Sequence, residues 1–181
     1  YFNRDLLQAD NMIQVWRQPR GGALSLWNTY LIDEIKMWHS GPEGNLLVAC
    51  SDMSDILARR IVGYYARSNH HGTKGDLYAD DRMKELVREN YTTPVELDDF
   101  TTTDTDRDLS DWLSVAANLS DGPVVAGVYA WANVLDKLKF LADESRQASD
   151  EVFFDIEPDV IGSNSMTWRF ITRTGQPGAD R

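Results

Sequence analysis

Cysteine is nearly missing from this chain: Cys50 is the single one in 181 residues. One thiol makes neither an internal disulfide nor a multi-thiolate metal site. It ends the run Leu46-Leu47-Val48-Ala49-Cys50, which predicts a strand and a buried thiol. Long apolar runs are also scarce. The longest, Val124 to Ala132, has nine residues, whereas a spanning helix needs roughly 20, so stable membrane insertion is not expected. Basic charge is short: 18 Lys and Arg stand against 29 Asp and Glu, a net charge of -11. The basic residues are scattered, with only Arg59 and Arg60 adjacent. A surface this acidic repels phosphate backbones and anionic lipid, which argues against both as lasting partners.

Glycine-rich phosphate loops are missing too. No GxGxxG follows a strand, no GxxxxGK[ST] occurs, and the nucleophile elbow GxSxG is absent. Enzymes built on those motifs need the glycines for close backbone approach. Three histidines are present, His39, His70 and His71. His70 and His71 with Asp76, Asp80 or Asp81 would be a candidate metal set. Adjacent histidines point in different directions on most backbones, so a solvated polar loop is the better reading. Acid pairs at Asp80-Asp81, Asp98-Asp99 and Glu157/Asp159 suit glycoside hydrolysis, but 29 acids produce such pairs everywhere and none is selected. No residue is assigned a catalytic, cofactor-binding or metal-binding role.

What is there suits a folded protein. Hydrophobic residues make up 42% and aromatics 10%, enough to fill a core. Met12 to Arg17 predicts a short strand, followed by a turn at Pro19-Arg20-Gly21-Gly22. Leu24-Ser25-Leu26-Trp27 and Tyr30 to Trp38 continue as strands. A turn at 40–45 returns the chain along Leu46 to Cys50, giving an antiparallel meander. Met53, Ile56, Leu57 and Arg60 fall at helical spacing behind Ser51 or Asp52. Residues 67–77 read as an exposed loop. Asp80 caps a second helix with Met83, Leu86 and Val87 as its apolar stripe, up to Asn90. The Thr/Asp-rich stretch near 91–110 reads as a long polar loop, and Trp112 to Ala117 as a strand. Trp131, Val134, Leu135, Leu138, Leu141 and Ala142 mark an amphipathic helix from Tyr129 to about Ala148. Val152 to Ile156 and Met166 to Ile171 close the chain as strands. Strands, then helices, then strands predict an α+β fold.

Six tryptophans need placing. Trp27, Trp38, Trp131 and Trp168 sit in periodic segments and read as core or sheet-surface residues. Trp16 and Trp112 are the candidate interface residues, since Trp is enriched at interface hot spots.

The order of short segments resembles one protein family. It runs Val15-Trp16-Arg17 with Gly21-Gly22, then Arg59-Arg60-Ile61-Val62, then Tyr78-Ala79-Asp80-Asp81-Arg82-Met83-Lys84 with Val87-Arg88-Glu89-Asn90. Arg107-Asp108-Leu109-Ser110, Trp131-Ala132-Asn133-Val134-Leu135-Asp136 and Phe154-Asp155-Ile156 follow. Trp168-Arg169-Phe170 and Thr174-Gly175-Gln176-Pro177-Gly178-Ala179-Asp180-Arg181 complete it. This succession is similar to the siphophage minor tail or baseplate-hub proteins, and it spans nearly the whole chain.

The resemblance implies antiparallel, barrel-like hub segments with a helix-containing insertion: residues 1–50 as a β meander of the hub, 51–150 as the insertion, and 151–181 as a β segment returning to the hub. It implies a virion structural protein of the tail tip rather than an enzyme. Its partners would be its own copies in a three-fold ring, the distal tail protein, the tape measure protein and the tip or fibre proteins, with DNA only in passage through the channel. Family members continue beyond both ends of this stretch. Tyr1 at the start and the turn-forming Gly175 to Arg181 at the end fit the middle of a longer polypeptide. A tail-associated cell-wall hydrolase and a receptor-binding module are the alternatives.

Overall fold

The computed structural model describes residues 7–40, 43–63, 72–96, 102–161 and 166–175. The fold is mixed α+β, and the chain divides into two compact units, Tyr1–Asp55 and Ile56–Arg181.

In the first unit β1 (Met12–Arg17), β2 (Ser25–Ser40) and β3 (Glu43–Asp52) form an antiparallel sheet in the order β1-β2-β3. The connection from β1 to β2 follows its turn chemistry. Gly21 takes φ +79°, and the Gly22 N–H donates to Pro19 O at 2.9 Å. The two strand pieces expected between Leu24 and Trp38 are one strand, because Asn28 and Thr29 pair with Val15 and Gln14. Bulges fall at Val15/Trp16 and Ile32/Glu34. Residues 41–42 of the expected hairpin turn lie outside the described residues. Burial is sparse: Thr29, Leu31, Ile32 and Met53 are the buried side chains of this unit among the described residues. Cys50 sits on β3 as expected but is exposed, a correction that follows from a sheet with so little covered surface.

The segment Met53–Arg59 is a 3-10 turn rather than an α-helix. Apolar residues at i and i+3 serve both geometries, so their spacing alone does not separate them.

The second unit holds β4 (Thr73–Tyr78), α1 (Ala79–Val87), β5 (Leu113–Val115), β6 (Val124–Val128), α2 (Val134–Gln147), β7 (Val152–Ile161) and β8 (Met166–Thr174). β4 pairs antiparallel with β6, while β8 pairs antiparallel with β7 and parallel with β5. The terminal hairpin β7–β8 therefore builds its sheet inside this unit. α1 packs on α2, β8 and β7, and α2 packs on β7. The core between them holds Met83, Leu86, Val87, Leu138, Leu141, Trp168 and Phe170, all fully or almost fully buried.

The described strands form three separate sheets of two or three strands, and none closes on itself. The barrel-like geometry expected of the β segments is thus corrected to open sheets. Closure needs a continuous ladder around the ring, and two or three strands are too few.

Local chemistry explains two boundaries. α2 begins at Val134 rather than Tyr129, because Trp131 adopts φ +63° and cannot lie in a right-handed helix. Asn133 caps α2 instead, accepting the Asp136 N–H at 3.2 Å and donating to Ala58 O at 2.6 Å. At the end of α1 the chain widens into a π turn, Arg88–Thr92. There the Thr93 N–H reaches Arg88 O at 2.8 Å, and Tyr91 donates its hydroxyl to Leu57 O at 3.0 Å.

Candidate assembly surface

The outer half of the β2–β3 hairpin is a two-stranded ribbon whose register fixes both faces. Ile35 lies opposite Val48 and Met37 opposite Leu46, so these four apolar side chains share one face. Lys36 lies opposite Leu47 and Trp38 opposite Asn45, and with Glu34 and Ala49 they form the other face. On the first face Met37 is 57% exposed and Leu46 39%, and Ile35 and Val48 are half-buried. On the second Trp38 is 49% exposed and Leu47 50%, beside a Lys36–Glu34 ion pair at 2.7 Å. Both faces of the ribbon thus present large apolar side chains to solvent. Isolated two-stranded hairpins are marginally stable in water, and exposed apolar side chains grouped in this way make the ribbon the candidate surface.

The rest of the sheet extends the pattern. Met12, Trp16, Leu24 and Trp27 are exposed. The Arg17 guanidinium stacks over the Trp27 ring at 6.0 Å, and Trp16 Nε1–H donates to Gln14 Oε1 at 3.0 Å.

Of the two candidate interface residues, Trp16 is exposed on β1. Trp112 is half-buried ahead of β5, and its carbonyl accepts the Trp168 N–H at 2.7 Å. Trp27 and Trp38, expected as core or sheet-surface residues, lie exposed on the sheet surface. Trp131 is exposed before α2, and Trp168 is core. Exposure of Trp27, Trp38, Met37 and Leu47 was not legible from pattern, because alternation fixes which residues share a face but not whether a second layer covers it.

Of the charged residues considered for chemistry, Asp80, Asp81, Glu157 and Asp159 are tied into structure. Asp80 and Lys84 are both fully buried and pair at 2.9 Å, and Lys84 also donates to Ala117 O at 2.7 Å. Asp80 accepts the N–H of Asp121 at 2.9 Å and of Leu119 at 3.1 Å. Burial pushes its carboxyl up, but the Lys84 hydrogen bond, the two amides and the Lys84 charge outweigh that and hold it below the ordinary value. Asp81 accepts the amides of Leu119 and Ser120, both at or near 3.1 to 3.3 Å, and the Ser120 hydroxyl. Together the two acids clamp residues 119–121 onto α1, and Lys84 adds Ala117. Glu157 pairs with Arg173, and Asp159 with Arg169 at 3.6 Å. Asp98, Asp99, His70 and His71 lie outside the described residues, as does the side chain of His39.

A shallow cleft of about 310 Å³ is lined by residues of β4 with Arg82 and Glu85 of α1. Lys74 reaches Glu89 at 2.6 Å and Glu85 at 3.3 Å, and Arg82 pairs with Glu85 and donates to Gly75 O. Burial raises the Glu89 carboxyl against the opposing pull of Lys74. Both cations of the cleft, Lys74 and Arg82, are thus paired with carboxylates, and Asp76 of β4 lines it as well. Among the described residues no three or more His, Cys, Asp or Glu side chains group to hold a metal ion, and no helix is long and apolar enough to cross a membrane.

The stretch near 91–110 is tied down where it is described. Val95 bridges Thr103, the Leu109 N–H donates to Tyr91 O at 2.7 Å, and Asp104 accepts the turn amides of Asp106 and Arg107. Comparison with protein-family models, with curated proteins and with solved structures finds no match.

Proposed function

We propose that the chain is a structural protein of the tail tip of a phage or phage-derived particle, a baseplate-hub component that works by contact rather than by chemistry. The observation that carries this reading is the β2–β3 ribbon with large apolar side chains open on both faces. Such a ribbon is suited to burial in an assembly, and a particle subunit must bury surface against its neighbours while the remainder stays soluble. The ordered succession of segments that resembles the hub family is what points to this assembly. In that setting the chain joins copies of itself, the distal tail protein, the tape measure and the tip or fibres. A net charge of -11 suits the wall of a channel through which DNA passes without adhering.

The test is the genetic neighbourhood of the coding sequence together with the protein content of purified particles. A tape-measure gene upstream, and peptides of this chain in washed tailed particles, are the expected results. Housekeeping neighbours and a chain found only in the soluble cell fraction overturn the reading. The exposed tryptophans Trp16, Trp27 and Trp38 favour one second reading, a receptor-binding module. Binding of the purified chain to whole cells, lost on replacing those residues by Ala, would select it.

A further inference from the structure

We propose that Lys74 and Glu89 join in an intramolecular amide, a covalent tie between β4 and the π turn after α1, formed by the folded chain itself with Glu85 as proton carrier. The proposal is independent of the tail-tip reading. Such a self-modification happens once per chain and turns over no substrate.

Geometry carries it. Closing an amide takes an amine, a carboxyl in contact with it and a second acid–base group at the same amine, with bulk water held off. Lys74 Nζ lies 2.6 Å and 2.7 Å from the two carboxylate oxygens of Glu89 and 3.3 Å from Glu85 Oε1. The Lys74 side chain is 5% exposed and that of Glu89 12%. Glu85 and Glu89 stand at i and i+4, so one helical turn brings both to the same amine. Arg82 holds the other oxygen of Glu85, which leaves Oε1 turned to Lys74. The cleft lined by Lys74, Arg82 and Glu85 gives the released water a way out.

The step balances. A proton passes from Nζ to the Glu89 carboxylate along their hydrogen bond, and the low dielectric of a buried site favours the uncharged amine and acid that result. The nitrogen lone pair adds to Glu89 Cδ. Glu85 takes the proton that the nitrogen sheds and passes it to the departing hydroxyl. One C–N bond forms, one C–O bond breaks and one water leaves, with no oxidant or cofactor.

The other buried pair shows what selects this one. Asp80 and Lys84 meet at 2.9 Å, but the Lys84 bond and two backbone amides hold Asp80 ionised, below its ordinary value, and a carboxylate resists attack by an amine. The further bond of Lys84 goes to Ala117 O, which carries no proton in either direction. At Glu89, burial and the Glu85 charge push the carboxyl up against the Lys74 hydrogen bond and charge. The tie closes residues 74–89 into a ring and fixes β4, whose Lys74-Gly75-Asp76 are poor strand formers. It restricts the unfolded chain as a disulfide does, in a protein whose single cysteine makes none.

Mass spectrometry of the purified 181-residue chain in denaturant tests the proposal. The wild type is expected to be lighter than its sequence by one water. Trypsin is expected to spare the bond after Lys74 and to release one branched peptide holding both Lys74 and Glu89. Lys74→Arg keeps a cation for Glu89 and is expected at full sequence mass. Glu85→Gln keeps the shape but not the proton carrier, and is expected to close at least about a hundredfold more slowly. A wild type at full sequence mass overturns the proposal. So does a water loss that maps to Asp80 with Lys84, or to Asp121-Gly122, where the glycine amide closes on the aspartate. A Glu85→Gln chain that folds by circular dichroism and closes as fast as the wild type also overturns it. Should that variant fail to fold, the wild-type mass and branched peptide decide alone, since both are read on the denatured chain.

Discussion

Replacing Asp80 by Ala removes one acid from the most enclosed part of the second unit. Asp80 and Lys84 have no exposed side-chain area and meet at 2.9 Å. Asp80 also satisfies the Asp121 and Leu119 amides. The variant strands a buried ammonium and two buried N–H groups at once. Breaking a buried pair costs about 3–5 kcal/mol, and each orphaned amide adds about 1 kcal/mol or more. Lys84→Met is milder, about 2 kcal/mol, because the carboxylate keeps its two amide donors and loses only the ammonium. In urea, with a slope of about 2 kcal/mol per molar, Asp80→Ala lowers the midpoint of the second unit by at least about 2.5 M and Lys84→Met by about 1 M.

The pH dependence has a definite sign. The folded carboxyl lies below its ordinary value, so its contribution is present above the unfolded value of about 3.9 and is lost as pH falls through the depressed one. The gap between wild type and Asp80→Ala therefore narrows only below about pH 4. A midpoint shift equivalent to less than about 1 kcal/mol, or a Lys84→Met cost exceeding that of Asp80→Ala, would refute this reasoning.

Other substitutions probe the remaining supports, each by thermal or urea unfolding. Gly122 has φ +80°, and a Cβ there would overlap Val152 Cγ2, so Gly122→Ala is expected to destabilise by about 1–3 kcal/mol. Leu138 is fully buried on α2, and Leu138→Ala is expected to cost about 2–5 kcal/mol through the cavity it leaves. Asn133→Ala removes the cap of α2 and the bond to Ala58 O, for about 1–2 kcal/mol. Met37→Ala, on the open face of the ribbon, is expected to change monomer stability by less than about 0.5 kcal/mol, since little of it is buried.

Much of the fold follows from local pattern. The meander was legible because its turn residues and apolar alternation act within a few positions, and α2 because Val134, Leu138 and Leu141 repeat at helical spacing. Elements that depend on distant partners were not. β4 contains Lys74, Gly75 and Asp76, poor strand formers, and reads as loop. It is a strand because β6 pairs with it and because Lys74 reaches Glu89. β5 is three residues held parallel to β8, a pairing with more than fifty residues between. α1 reads as amphipathic, yet Asp80, Asp81, Arg82 and Lys84 are all buried, the first two and Lys84 bonded to the loop at 117–121 and Arg82 to Gly75 O of β4.

The candidate surface was legible by half. Trp16 was singled out for its residue type, while Trp27, Trp38, Met37 and Leu47 lie on strands whose covering layer depends on what stands opposite. No spacing in one strand encodes that.

Immunogold labelling of purified tailed particles, with an antibody to this chain and electron microscopy in negative stain, tests the central claim most directly. The account predicts gold at the distal end of the tail, in constant number per particle. Bare tails, with the antigen recovered only from the soluble fraction, would contradict it.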